Sequence, residues 1–407
     1  MSSSAAPASP ASAGRLLSVD ALRGFDMFWI IGADSLVYAL HRMSPGPVTN
    51  FLAEQLEHAD WEGFHFYDLI FPLFIFIVGV SLVFSLDKTL AQAGRAAALK
   101  RIFLRSLLLF LFGVFYNGGL ALPWPDVRLM SVLGRIALAY FFAGLLFCFF
   151  RPRLLVVLCA GLLAGYWALM TFVPFPDVRP APGAGIIARE NGFTRISQLN
   201  MNSTNRLHGV FIKGVNLCNY LDQKYLPGRK YDGTWDPEGL LSTLPAIATC
   251  LLGVFAGLLL KNRNVEDRRK VAWLLAWGAA GVAAGWIWGI EFPVIKKIWT
   301  SSYVLVAGGY SALLLGVFYL MVEVWCWQFW CRPFVWLGAN SIAVYMTANL
   351  LGSFTRPAQR LAGGSVRNFL EAHLTAGAGE LAISLTGLAL AFGFARFLYR
   401  RKIFLRL

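Results

Sequence analysis

Charge is scarce in these 407 residues, with only 14% Asp, Glu, Lys or Arg, where a soluble domain carries about a quarter. That shortage excludes an ordinary solvated surface, although the length alone would accommodate two or three soluble domains. Histidine is scarcer, five in all, and none sits in an HExxH or comparable spacing, so no metal site is expected. The six cysteines, at 148, 159, 218, 250, 326 and 331, form neither a disulfide framework nor pairs with metal-ligand spacing. Walker A, GxGxxG and GxSxG patterns are missing, which removes ATP hydrolysis, a Rossmann cofactor and an α/β-hydrolase triad.

What is present is apolar. Hydrophobic residues make up 57% of the chain, the mean hydropathy is +0.59, and the excess comes in blocks of about 20 residues, the length that spans a bilayer. The expected fold is all-α, a polytopic membrane protein with about ten transmembrane helices, at roughly 16–40, 67–86, 102–122, 130–150, 154–174, 240–260, 271–290, 302–325, 333–352 and 380–399. No sheet is expected, because a lone helix satisfies its own backbone in lipid. Residues 1–14, MSSSAAPASPASAG, read as a disordered tail without the basic region of a signal peptide. Residues 15–407 read as a single transmembrane domain, its first helix acting as an uncleaved targeting signal.

The net charge is +14, yet the basic residues gather in short connections, as the positive-inside rule requires, and no nucleic-acid partner is implied. Lys88, Arg95, Lys100 and Arg101, then Arg151 and Arg153, then Lys261 to Lys270, then Arg400 to Arg406 all fall on one side of a ten-helix path. That side is the expected cytoplasm, with both termini in it. The 41–66 loop opposes it with Glu54, Glu57, Asp60 and Glu62, and two further long loops lie outside, at 175–239 and 353–379. Lys296 and Lys297 are the exception, two cations in a short outer connection.

Several polar residues sit where a membrane makes them expensive, at least about 2.5 kcal/mol for a charge at bilayer depth. The first helix holds Asp20, Arg23, Asp26 and Asp34. Asp20 and Arg23, spaced i,i+3, make either a structural clip or the wall of a polar site. Asp34 has no local partner. His58 precedes the second helix beside Glu57 and Asp60, carboxylates that raise and orient an imidazole and so suit a general base, although a solvated loop histidine is the plainer reading. His65 competes for that role. Asp68 opens the second helix and reads as its cap. Arg128 reads as snorkelling to the outer interface, whereas Arg135, inside the fourth helix, calls for a carboxylate or an anionic ligand. Asp236 and Glu238 in TWDPEG read as a helix start, and Asn340 in GANSIAVY as interhelical hydrogen bonding.

At these residues the sequence resembles a family. SVDALRGFDMFWIIGAD, HADWEGFHFYDLIFPLFIFIVG, RLMSVLGRIALAYF, YDGTWDPEGLLSTLPAIATCLLG, IWTSSYVL, LGANSIAVY and LYRRKIFLRL look, in that order, like heparan-α-glucosaminide N-acetyltransferase and its bacterial relatives. The resemblance runs from about residue 15 to the C-terminus and is weakest in the 175–225 and 353–379 loops. It implies a transmembrane acyltransferase that takes acetyl-CoA on the cytoplasmic side and acetylates an amino sugar or glycan on the periplasmic side of a bacterial inner membrane, as a homodimer. The family's active histidine falls on His58, which displaces the loop-histidine reading, and Asp34 stands where the family has an asparagine. With Asp34 and Asp60 beside it, His58 is the expected catalytic group. Arg15, Asp20, Arg23 and Arg135 are expected to meet the anionic donor, and Asp68, Asp236, Glu238 and Asn340 the acceptor. A membrane transporter, or a sugar-uptake partner without acyl transfer, is the competing reading, against which stand the missing internal repeat and the uneven loops.

Overall fold

The computed structural model describes residues 16–180 and 195–405. Arg15 and Arg406 lie outside them. The chain is a polytopic helical membrane protein. Among the described residues, seven helices are long and apolar enough to cross a bilayer, and an eighth span arises if the pair α11 (Arg332–Ala339) and α12 (Ser341–Leu351), bent by 76°, counts as one. The others are α4 (Phe66–Tyr116), α5 (Val132–Phe149), α6 (Pro152–Phe172), α8 (Thr243–Lys261), α9 (Asp267–Trp288), α10 (Ser301–Tyr319, extended to Val324 by a π-helical turn) and α15 (Ala378–Arg400).

The expected connection at 87–101 is helical instead. Its lysines, leucines, alanines and glutamine all favour helix, and α4 runs for 51 residues. Straight, that would be roughly 77 Å at 1.5 Å per residue, more than twice the hydrocarbon core. The helix breaks at Gly94, where φ is 77° and ψ −179°, a conformation open to glycine but not to residues with a Cβ. It doubles back there: the Arg101 guanidinium donates to Thr89 Oγ1 at 3.0 Å, and Phe71 and Tyr116, near opposite ends of the helix, line one cavity. Each arm is long enough to span.

The first segment is also interrupted. α1 (Leu17–Phe28) passes through a π-helical turn (Trp29–Ala33) into α2 (Asp34–Met43). α1 lies against α11 with almost no side chain between them. A Cβ on Gly24 would collide with the Phe334 backbone, and one on Gly338 with the Asp20 backbone, so only glycines permit this crossing.

The loops carry structure of their own. α3 (Pro47–Gln55) lies within 41–66, α7 (Leu217–Tyr225) within 175–239, and α13 (Thr355–Ala362) and α14 (Ser365–His373) within 353–379. Against the expectation of no sheet, one short antiparallel pair, β1 (Phe175–Pro176) with β2 (Arg206–Leu207), closes the base of the large loop. It lies outside the apolar spans, where a sheet edge is tolerable.

Candidate active site

The N-terminal end of α4 builds the centre. His65 is its N-cap and Asp68 its third residue, so the Asp68 carboxylate folds back to accept from the His65 backbone N–H at 3.1 Å, the geometry of a capping box. The same oxygen, Oδ2, accepts from the Ala59 N–H at 3.1 Å. The expected cap is therefore present. The other oxygen, Oδ1, turns to the loop: it meets His58 Nδ1 at 2.9 Å and Lys296 Nζ at 3.2 Å. Asp68 itself is fully buried, and its backbone carbonyl accepts from the Tyr303 hydroxyl at 2.8 Å.

His58 is exposed into a cavity of about 490 Å³ at the end of the bundle where the 56–65, 117–131, 226–239 and 289–300 connections converge. Tyr67 lies beside its ring at 5.0 Å between centroids. Partial burial pulls the imidazole pKa below its usual 6.5 and Lys296 pulls it further, against the Asp68 hydrogen bond, which raises it. The loop is held on its far side by Trp61, whose indole N–H donates to the Phe211 carbonyl at 2.6 Å.

The 289–300 connection supplies Lys296, Lys297 and Trp299 to the cavity. Trp299 adopts a positive φ of 54°, a costly conformation for a bulky residue. It is held there by burial, by its N–H to Thr249 Oγ1 at 3.1 Å, and by the Arg135 guanidinium 4.8 Å over its ring. Lys296 is largely buried, and burial lowers its pKa while Asp68 opposes the shift.

A second polar cluster reaches the cavity wall through Arg128 and Glu238. Arg128 does not snorkel. It is buried and grips Asp236 with two parallel bonds, Nε to Oδ2 at 2.8 Å and Nη2 to Oδ1 at 2.7 Å, while Nη2 also reaches Glu238 at 2.5 Å. Asp236 accepts further from the Tyr231 and Glu238 N–H groups at 3.1 and 3.0 Å. The helix that follows begins only at Thr243, so Asp236 and Glu238 serve this cluster and not a helix start. Burial and the neighbouring Asp236 raise the Glu238 pKa, and the two carboxylates raise that of Arg128. Behind Glu238, Asp222 of α7 accepts from the Leu240 N–H at 2.8 Å, and burial pushes its pKa up to about 7.

The other residues singled out in the sequence scatter. Arg135 is fully buried behind Trp299. Its Nη2 donates to Ser242 Oγ and, at 3.4 Å, to the Gly239 carbonyl, while Nε and Nη1 have no hydrogen-bond partner among the described residues. Arg23 lies deeper in the bundle, on Asp20 at 3.2 Å and Ser81 Oγ at 2.5 Å, and neither it nor Asp20 lines the cavity. Asp34 accepts from the Ser35 N–H at 2.9 Å and does not line the cavity. Asp60 is exposed on its loop, and His65 turns away to the Glu57 carbonyl at 3.1 Å. Asn340 is buried at the bend between α11 and α12, both polar atoms of its side chain without a hydrogen-bond partner among the described residues, next to the cavity-lining Ser341. Sequence reasoning left Lys296, Tyr67 and Trp299 without a role. The signal that marked Lys296 was its place in an outer connection, where basic residues are otherwise rare.

Residues 15–182 match the family model described as heparan-alpha-glucosaminide N-acetyltransferase, catalytic. Over 386 residues the chain is 28% identical to the heparan-alpha-glucosaminide N-acetyltransferase of Homo sapiens, a match covering 86% of this chain and 55% of the relative. To that of Mus musculus it is 27% identical over 336 residues, covering 73% and 50%. The chain thus spans about half the length of the curated relatives it matches. His58, Asp68, Arg128 and Arg135 fall within the matched family region, and Lys296, Asp236 and Glu238 beyond it.

Proposed function

From the premise that most of this chain is like the heparan-α-glucosaminide N-acetyltransferases, we propose that it is a transmembrane acetyltransferase moving an acetyl group from acetyl-CoA to the amine of an amino sugar or glycan. The observation that carries the reading is the His58–Asp68 pair facing a cavity. With Nδ1–H given to Asp68, the lone pair of Nε2 is free to act as base. The acceptor amine attacks the thioester carbonyl carbon, its proton passes to Nε2, the C–S bond breaks, and the thiolate takes that proton. The same free nitrogen also suits an acyl-histidine route, in which Nε2 attacks first and the amine second.

Sidedness follows from charge. The cavity lies at the end of the bundle opposite the basic connections that contain Lys88, Arg101, Arg153 and Arg269, and those connections mark the cytoplasm. The acceptor then enters from the periplasm of a bacterial inner membrane, past Arg128, Asp236 and Glu238. The donor enters from the cytoplasmic end of the bundle, where α1 begins and carries Asp20 and Arg23; Arg15, outside the described residues, is a further cation proposed for its phosphates. Arg135 holds Trp299 as the cavity wall, Asn340 offers a buried amide beside Ser341, and Asp34 is a further carboxylate of the catalytic group. Asp68 is the partner that fixes the tautomer of His58, Asp60 is a solvated neighbour, and the protein works as a homodimer.

Acetyl-CoA is expected to raise the melting temperature of the detergent-purified protein. A ligand at a hundredfold excess over its Kd stabilises the folded state by about 2.7 kcal/mol. No shift at millimolar acetyl-CoA would remove the donor from this reading, and unchanged sugar crossing the membrane without acetylated product would replace it with transport.

A further inference from the structure

Lys296 pairs with the carboxylate that orients the base, and that pairing does not use all of its donors. Its Nζ lies 3.2 Å from Asp68 Oδ1, 3.0 Å from His58 Nδ1 and 3.5 Å from His58 Nε2. When Nδ1 carries the proton it gives to Asp68, it has no lone pair for Lys296. The ammonium then gives one N–H to Asp68 and stands 3.5 Å from the Nε2 lone pair, which leaves at least one of its three donors for the cavity it lines.

The connection that carries it is fixed on both flanks. The Gly63 N–H donates to the Val294 carbonyl at 2.9 Å, and the Ile295 N–H to Thr300 Oγ1 at 3.0 Å. Lys297 diverges toward Asp232, at 3.7 Å. One lysine of the two is aimed at the histidine, and it is partly withdrawn from water, where a cation acts more strongly on nearby charge.

We infer that Lys296 is the electrophilic catalyst of this site, its ammonium holding the oxygen of the acyl carbonyl while that oxygen carries negative charge. The inference rests on the reading above and adds a catalytic residue to it. Nitrogen bonds to the carbonyl carbon, and the carbonyl π pair moves to oxygen, which Lys296 receives by hydrogen bonding. The pair returns as the C–S bond breaks. Lys296 transfers no proton in this step: it acts as a hydrogen-bond donor from an ammonium placed beside the Asp68 carboxylate. The 3.5 Å between Nζ and Nε2 lets one tetrahedral centre present its N–H to the histidine and its oxygen to the lysine. A preorganised donor of this kind contributes most when water is excluded around it.

The test uses the full chain in lipid nanodiscs, with acetyl-CoA, glucosamine and release of CoA thiol as the readout. Lys296→Met is expected to lower kcat by about 10²–10³-fold, the effect of removing one oxyanion donor, with KM for acetyl-CoA nearly constant. Lys296→Arg keeps the charge and is expected to recover at least about tenfold of that loss. Carbethoxylation of His58 by diethyl pyrocarbonate, read by peptide mass, should persist in Lys296→Met, which shows that the histidine site still stands. A kcat near wild type in Lys296→Met would overturn the inference and leave the His58 reading intact. Loss of His58 labelling together with kcat, without recovery in Lys296→Arg, would make Lys296 a structural prop for Asp68 and overturn it equally. A wild-type protein that releases no CoA would overturn both.

Discussion

His58→Ala is expected to reduce acetyl transfer by about 10³-fold or more, within the range that a positioned general base contributes and above it if the histidine also carries the acyl group. Donor binding should survive, so acetyl-CoA still raises the melting temperature of the variant. Asp68→Asn is the sharper change. An asparagine oxygen can still accept from the His65 and Ala59 N–H groups that Asp68 Oδ2 now serves, so the helix start is largely kept. The amide presents its NH₂ to Nδ1, however, and favours the tautomer with the proton on Nε2, which cannot act as base. A loss of about 10²–10⁴-fold is the expected outcome, together with a lower melting temperature, because the buried Lys296 ammonium loses its carboxylate. The pH profile provides an independent check. Partial burial and Lys296 lower the His58 pKa, and the base is the neutral form. Activity is therefore full above the lowered value and is lost as pH falls through it, so the acid limb of kcat/KM should lie below pH 6.5. An acid limb well above that, or a His58→Ala protein with ordinary turnover, would sink the assignment.

The spans were legible because lipid imposes a length and an apolarity that each segment must meet alone. The break at Gly94 was hidden because a helical hairpin and a loop look alike when the connecting residues favour helix. The site was legible unevenly. Asp68 read as a cap, and it is one; that its second oxygen would face His58 depends on how the 56–65 loop folds over the helix start, a contact spaced ten residues apart with no periodic signature. Arg128 read as snorkelling because its partners are more than a hundred residues away, and local sequence carries no record of such a pairing. Arg23 and Arg135 looked like two cations of one cavity, yet one lies on α1 beside Asp20 and the other behind Trp299 on α5. Intramembrane charge announces that a polar interior exists, but not which charges share it.

The Arg128 cluster offers the largest expected effect on stability. Arg128, Asp236 and Glu238 are all nearly buried, with side-chain exposures of 8%, 0% and 11%. Such a cluster contributes little net stability compared with apolar residues of the same volume, because desolvating three charges offsets their attraction. Removing only the cation is different: Arg128→Met leaves two carboxylates buried against each other and is expected to cost about 3–5 kcal/mol. The variant Arg128→Met with Asp236→Asn and Glu238→Gln, which removes all three charges, should recover much of that loss, and the difference measures coupling within the cluster and not the value of any single contact. The cost in Arg128→Met should also shrink as pH falls. Burial already raises the Glu238 pKa in the intact cluster; without its cation the group binds its proton more readily in the folded state than in the unfolded chain, so acid favours folding at this position. Thermal unfolding of the three proteins at two pH values decides the matter. A single variant within about 1 kcal/mol of wild type would mean that water reaches these carboxylates through the cavity that Arg128 and Glu238 line.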